Sequence, residues 1–183
     1  MRRQWLPGAL IAVGAIAFLA YGSLKGHTTP KVDASSSADF GPGVVDTVWD
    51  GDTIHLNDGR RVRLVQIDAP EVRDSECYAK EATDELARLA PLGSTVSLRA
   101  DPALDRRDRF GRILAYVYKG TANLNLRLAE LGAAAPYFYR GDRGRYAERL
   151  LAAARRAKAE KRGLWGACPR TRLDPSRAVD AVP

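Results

Sequence analysis

The sequence predicts an α+β domain, and three observations point there. Short β-rich runs recur along the chain (Val44–Thr47, Thr53–Leu56, Val62–Ile67, Thr95–Arg99 and Arg112–Tyr118), with helical periodicity interspersed. Asp58-Gly59 separates two of these runs, and such a pair favours a hairpin because a type I′ turn needs positive φ. No internal repeat is visible, and 183 residues with 45% apolar content suffice for one cored domain plus a tail.

The chain opens on a basic start, Met1-Arg2-Arg3-Gln4, followed by the uncharged, mostly apolar or small run Leu6–Leu24. This predicts an N-terminal hydrophobic helix, with residues 1–25 a signal peptide or membrane anchor. Ala20-Tyr21-Gly22 is a poor cleavage site, which favours an uncleaved anchor with Arg2 and Arg3 in the cytoplasm and the rest outside. Residues 26–42, rich in Thr, Pro, Ser and Gly, read as a flexible linker. The folded domain is expected over 43–168 and a disordered tail over 169–183.

Within the domain, a two-residue turn at Asp58-Gly59 pairs Asn57 with Arg60, His55 with Val62, Ile54 with Arg63 and Asp52 with Val65. Asp52 and Arg63 then share one face as diagonal neighbours. Asp68 and Glu71 follow at the strand's exit, bent by Pro70. Arg63 also shares its face with Val65 and Ile67, a costly place for a guanidinium unless an anion meets it. His55 falls on the opposite face, as a surface or structural residue. An ordinary hairpin with solvated charges and one Arg–Asp pair would read the same way.

Ala82, Leu86 and Leu89 give a helix over Lys80–Leu89, ended by Pro91-Leu92-Gly93-Ser94. Leu124, Leu126, Leu128 and Leu131 give another over Asn123–Leu131, stopped by Gly132. Ala133–Tyr139 reads as extended. Arg145–Lys161 reads as a long helix with Tyr146, Leu150, Ala153, Ala154 and Ala157 inward. The net charge is +7, of which residues 41–183 hold +5, and this suits a polyanionic partner. Cys77 and Cys168 flank the helical half. Outside the cytoplasm they would close a loop of roughly ninety residues, worth about 2–4 kcal/mol; the other reading is two free buried thiols.

Three ordered blocks carry a resemblance: Trp49-Asp50-Gly51-Asp52-Thr53; Arg63-Leu64 leading into Ile67-Asp68-Ala69-Pro70-Glu71; and Asp108-Arg109-Phe110-Gly111-Arg112-Ile113-Leu114-Ala115-Tyr116-Val117. From about Gly43 to Trp165 the chain resembles the staphylococcal-nuclease-like (thermonuclease) family. The resemblance implies an OB-fold, a five-stranded Greek-key β-barrel with about three packed helices. It also implies a Ca²⁺-dependent nuclease that hydrolyses DNA and RNA with little sequence preference, leaving 3′-phosphate ends.

The same resemblance assigns roles. Asp52, Asp68 and the backbone carbonyl of Ala69 would hold Ca²⁺, a cation that favours hard oxygens, with Asp50 behind them. The family usually has Thr where Ala69 stands, a change a backbone ligand tolerates. Glu71 matches the general base, and Arg63 and Arg112 match the phosphate-binding arginines, whose planar fork meets phosphate bidentately. Gly111 would let the backbone approach closely beside Arg112. Arg109, Phe110, Tyr137 and Tyr139 correspond to nucleotide-contacting positions, with Phe110 replacing a Tyr and keeping only the stacking face. Packing against the barrel is the plain reading of Tyr137 and Tyr139. No protein partner is implied, and the expected state is a monomer outside the cytoplasm, at the membrane or secreted. The rival functions are a non-catalytic nucleic-acid-binding module on the same barrel, and a tethered adhesion or scaffold domain.

Overall fold

The computed structural model describes residues 39–183. The expected hydrophobic helix and most of the expected linker lie outside the described residues. Among those described, no helix is long and apolar enough to cross a membrane.

Five strands close into a barrel: β1 (Gly41–Asp50), β2 (Thr53–Leu56), β3 (Arg61–Leu64), β5 (Thr95–Arg99) and β6 (Ile113–Lys119). β1 pairs with both β2 and β5, β2 with β3, and β5 with β6, all antiparallel; a parallel β3–β6 pair shuts the ring. Two register shifts bend β1 between Val45 and Asp50, which lets one strand serve both neighbours. A two-residue strand β4 (Ile67–Asp68) pairs with β8 (Ala135–Pro136), and β7 (Ala122–Asn123) turns back to pair antiparallel with the end of β6. This is the five-stranded barrel of an OB-fold.

Alternation explains the barrel's interior. β5 reads exposed–buried–exposed–buried–exposed, with Val96 and Leu98 inward beside Ile54, Leu56, Val62, Leu64 and Val117. β6 is buried on both faces because helices cover its outside. Those helices are α1 (Ala79–Leu89), α2 (Leu124–Leu131) and α3 (Ala147–Ala159), with the single turn α4 (Leu164–Ala167) closing the domain. Asn123 caps α2 by accepting from the Leu126 N–H at 3.0 Å, and Gly132 ends it at φ 71°. The five residues expected inward on α3 are buried or half-buried there.

Asn125 sits where β3 parts from β6, fully buried. Its Oδ1 accepts from Val117 N at 2.9 Å, and its Nδ2 donates to Val65 O at 2.8 Å and Ala115 O at 3.3 Å. One side chain thus satisfies the main-chain groups that the end of the parallel ladder leaves open.

Three sequence expectations need correction. The linker does not run to residue 42: Phe40 packs on the core, and Gly41–Val44 pair with β5. The hairpin register is one residue off. Thr53 pairs with Arg63 and Ile54 with Val62, and Leu56 N–H bonds Arg60 O, so Asn57, Asp58 and Gly59 form a three-residue loop with Gly59 at φ 84°. The tail is not disordered: residues 169–183 form no helix or strand beyond α4, yet Thr171, Val179 and Ala181 are buried.

Replacing Asn125 by Ala strands the Val117 N–H and Val65 O in an apolar interior. Each such group typically costs about 1–3 kcal/mol. The expected loss is about 2–4 kcal/mol, read as a shift of the denaturant midpoint at unchanged slope.

Candidate active site

The β1–β2 connection is a two-residue bend, Gly51-Asp52, packed so closely that a Cβ on Gly51 would lie 2.6 Å from Ala69 Cβ and 2.9 Å from Ala82 Cβ. Only glycine fits between those alanines. The bend turns Asp52 inward, where it is 3% exposed. Its Oδ2 accepts from Ala69 N at 2.8 Å and pairs with Arg63 at 2.9 Å, while its Oδ1 accepts from the Thr53 hydroxyl at 3.0 Å. Asp50 Oδ1 accepts from Asp52 N at 3.0 Å and fixes the bend from behind.

Arg63 reaches the same point by a route the expected register did not give. It faces Thr53, and its guanidinium extends along the barrel's rim to Asp52 on one side and Asp68 on the other, the latter at 2.5 Å. It also donates to the carbonyls of Leu64 (3.0 Å) and Ile67 (2.8 Å). The chain curls around it because Gln66 takes the left-handed conformation at φ 65°. The anions that make a guanidinium tolerable here come from the chain itself.

The electrostatics follow from three buried carboxylates sharing one guanidinium. Burial pushes Asp52 well above the ordinary carboxylate range, and the charges of Asp50 and Asp68 add to that against the pull of Arg63. Burial also raises Asp68, offset in part by Arg63 and by the Val179 N–H. Burial works against the Arg63 charge, but Asp52 and Asp68 outweigh it and hold the guanidinium protonated. Glu71 is half-exposed; burial, then Asp50 and Asp68, lift it too. Its main chain is pinned, because its N–H donates to Glu76 Oε2 at 2.8 Å and its carbonyl accepts from Glu76 N at 3.2 Å.

Among the described residues, no three acidic, histidine or cysteine side chains close on one point as a complete protein-built metal cage. The donor set nonetheless fits a hard dication that completes its shell with carbonyls, water and substrate oxygens. Asp50, Asp52 and Asp68 are all buried and crowd negative charge about a single cation.

Arg112, at the foot of β6, stands at the edge of this cluster. Its guanidinium pairs with Asp108 at 2.6 Å, lies 3.5 Å from the Thr53 hydroxyl, and is close enough to Asp68 to lower its pKa. Asp108 Oδ1 also accepts from the N–H groups of Phe110 and Arg112, so one carboxylate folds the loop and aims the arginine. Gly111 serves the loop by its φ of 76°, and no protein atom lies within 4 Å of where its Cβ would be. Phe110 is 57% exposed with Arg109 over its ring at 4.7 Å. Tyr139 is 53% exposed, edge-on to Tyr137, so it is not barrel packing. Tyr137 lies near Asp68, whose charge helps raise its hydroxyl pKa after burial. His55 stacks on Trp49 at 5.4 Å, away from the carboxylates.

Cys77 and Cys168 are joined, closing 91 residues of separation. The bond roots the C-terminal strap, which returns to the site: Ala181 O accepts from Cys77 N, and the buried Val179 N–H donates to Asp68 Oδ2 at 2.8 Å. Sequence reasoning missed Thr53, Glu76, Asp108 and Val179 as supports. Asp108 lay in a quoted motif, but nothing in the sequence marks a main-chain N–H eleven residues past the last cysteine.

Val179→Pro deletes that N–H, whereas Val179→Ala keeps it. Loss of a hydrogen bond behind a metal-binding carboxylate typically costs about 10–100-fold. Titrated with a divalent cation by calorimetry, the proline variant should bind it about 10–100-fold more weakly, with the alanine variant near wild type.

The chain matches the family described as staphylococcal nuclease homologue over residues 61–167. It is 32% identical over 165 residues to a thermonuclease of Staphylococcus hyicus, covering 86% of this chain and 95% of that protein. It is 39% identical over 128 residues to an "uncharacterized endonuclease" of Escherichia coli, covering 67% and 76%. Another thermonuclease, of Staphylococcus intermedius, is 30% identical over 165 residues, covering 86% and 95%. On the barrel and these matches together, the chain belongs to the staphylococcal-nuclease-like family and is a nuclease.

Proposed function

We propose that this nuclease is a Ca²⁺-dependent phosphodiesterase acting on both DNA and RNA outside the cytoplasm. The observation that carries the reading is the convergence of Asp52, Asp68 and Arg63 in one buried cluster, with Glu71 and Arg112 at its edge. Asp52, Asp68 and the Ala69 carbonyl would hold the cation, with Asp50 bracing Asp52. A bound Ca²⁺ supplies Lewis-acid charge to the phosphate and lowers the pKa of nearby water.

The chain's own groups do the rest. Glu71 orients the attacking water and takes its proton; its elevated pKa brings it nearer the operating pH, where a base is most effective. Arg63 and Arg112 turn from their carboxylate partners to phosphate oxygens and oppose the charge that grows at phosphorus. The water oxygen bonds to phosphorus as the P–O5′ bond breaks. The 5′-oxygen takes a proton from solvent and leaves as a hydroxyl, Glu71 returns its proton to solvent, and a 3′-phosphate end remains. Arg109, Phe110, Tyr137 and Tyr139 give the neighbouring nucleotides a cationic and aromatic bed without reading base edges, which suits low sequence preference.

The Cys77–Cys168 bond supports an oxidising compartment. We place the N-terminal segment in the membrane with the nuclease outside, acting as a monomer. A non-catalytic module would not need Glu71, Arg63 and Arg112 beside the acidic cluster.

Asp52→Ala and Asp68→Ala should abolish cleavage of plasmid and of RNA while the domain stays folded by circular dichroism. Chelator should do the same to wild type. Arg63→Lys and Arg112→Lys should each lower kcat on a short DNA by about 10²–10³, with little change in KM. An unchanged kcat with a raised KM would reduce these arginines to docking charges.

A further inference from the structure

The face built by α2 and α3 carries charge that the catalytic reading does not use. Between these helices lies a trough of about 400 Å³, walled by Arg127 and Glu130 from one side and Arg149 and Arg156 from the other, with Arg162 at its end. It runs on into a second hollow of about 330 Å³ that shares Arg127, Glu130 and Arg149 and reaches Arg99 and Tyr118. Five guanidiniums line the pair of hollows against a single carboxylate.

That carboxylate is engaged. Glu130 pairs with Arg127 at 3.0 Å, and Arg162 pairs with Glu160 while donating to the Glu130 carbonyl. Among the described residues, Arg99 and Arg149 meet aromatic faces, those of Tyr118 (4.3 Å) and Tyr146 (5.5 Å). Among the described residues no acidic group meets Arg99, Arg149 or Arg156. The floor between them is low, because α3 has alanine at 152 and 153. Arg149 and Arg156 are two helical turns apart, about 10.5 Å along one face. At the joint, the Tyr118 and Tyr146 hydroxyls meet at 2.7 Å and add polar groups to the wall.

We propose that this trough is a second nucleic-acid-binding site, taking the sugar–phosphate backbone of the strand that leaves the active site. The ligand class follows from the lining: repeated, exposed guanidiniums over a shallow polar floor suit a flexible polyanion and offer no base-edge code. The spacing is right for one molecule to fill both sites. Tyr118 lies six residues along β6 from Arg112, about 20 Å in a strand. A strand passing around the helices that cover β6 needs at least about six nucleotides at 3.4 Å each, so a dinucleotide cannot bridge the sites and a long strand can.

The test is Arg149→Glu/Arg156→Glu in the full chain, with Arg149→Gln/Arg156→Gln beside it to remove charge without adding like charges. Two substrates are used: a dinucleotide, and single-stranded DNA of about forty nucleotides, well beyond the bridging length. For the long strand, binding is read by fluorescence anisotropy in chelator, where nothing is cut, from about 50 to 200 mM salt. Loss of two phosphate contacts should flatten the plot of log affinity against log salt by about 1.4. KM for the long strand should rise about tenfold, while kcat/KM for the dinucleotide stays at wild type. The proposal is overturned if both substrates weaken equally, or if long-strand affinity and its salt slope stay at wild type in the Gln pair.

Discussion

The site depends on keeping one guanidinium dry among carboxylates. Arg63 is almost enclosed, and it spends its donors on Asp52, Asp68 and two carbonyls. Removing one member of such a buried cluster typically costs about 3–5 kcal/mol, because it leaves a charge without compensation. That penalty ties three stretches of chain together: the bend after β1 carries Asp52, β3 carries Arg63, and β4 carries Asp68. With the β1–β2 bend, β3 and β4 all meeting at the same charge, none of them can shift without exposing the others. The cluster proposed as the catalytic site is therefore also the pin at this end of the fold.

Around that pin the chain is held by small, specific fittings. Gly51 lets the bend press against Ala69 and Ala82, and the missing Cβ brings Asp52 to its hydrogen bond with Ala69 N. Asn125 satisfies the main chain where β3 leaves β6, so β3 can end on time and turn at Gln66 toward Asp68. The disulfide fixes the root of the C-terminal strap within reach of the loop bearing Glu71, and Val179 then adds a donor to Asp68. Each of these holds a group of the proposed site within the narrow geometry that preorganised electrostatics requires.

Much of this was legible in sequence because local rules governed it. The apolar spacing of α1, α2 and α3 and the alternation of β5 predicted elements within a few residues of those observed. The meeting of Asp52 and Arg63 was also anticipated, but by an argument that fails. The Asp58-Gly59 pair suggested a two-residue turn, whereas the structure uses a three-residue loop with Gly59 in the left-handed position. A slip of one residue exchanges the faces of a strand, so Thr53 and not Ile54 lies opposite Arg63. The two charges meet because Asp52 lies on the bend, outside the β2 ladder, and because Arg63 is long enough to reach along the rim. The tail was illegible for another reason. Its anchoring runs through main-chain N–H and carbonyl groups, which every residue carries, so its composition gave no sign of order.

The two arginines of the site are prepared in opposite ways. Arg63 is almost enclosed and held from both sides, while Arg112 is half-buried and held by Asp108, whose carboxylate also folds the loop before β6. In both, the resting partner is a carboxylate, which offers oxygens of the charge and geometry that a phosphate offers. On the proposed mechanism a phosphodiester entering the site would replace a contact already formed, and the cation held by Asp52 and Asp68 would compensate the carboxylates that Arg63 gives up. Because carboxylate and ground-state phosphate are nearly equivalent partners, that exchange adds little to binding. The balance tips only as charge accumulates at phosphorus, when the phosphate oxygens become better acceptors than the carboxylates they displaced. On the proposed mechanism, pairing each arginine with an acid in the resting fold would thus let its interaction grow most where the reaction needs it, in the transition state.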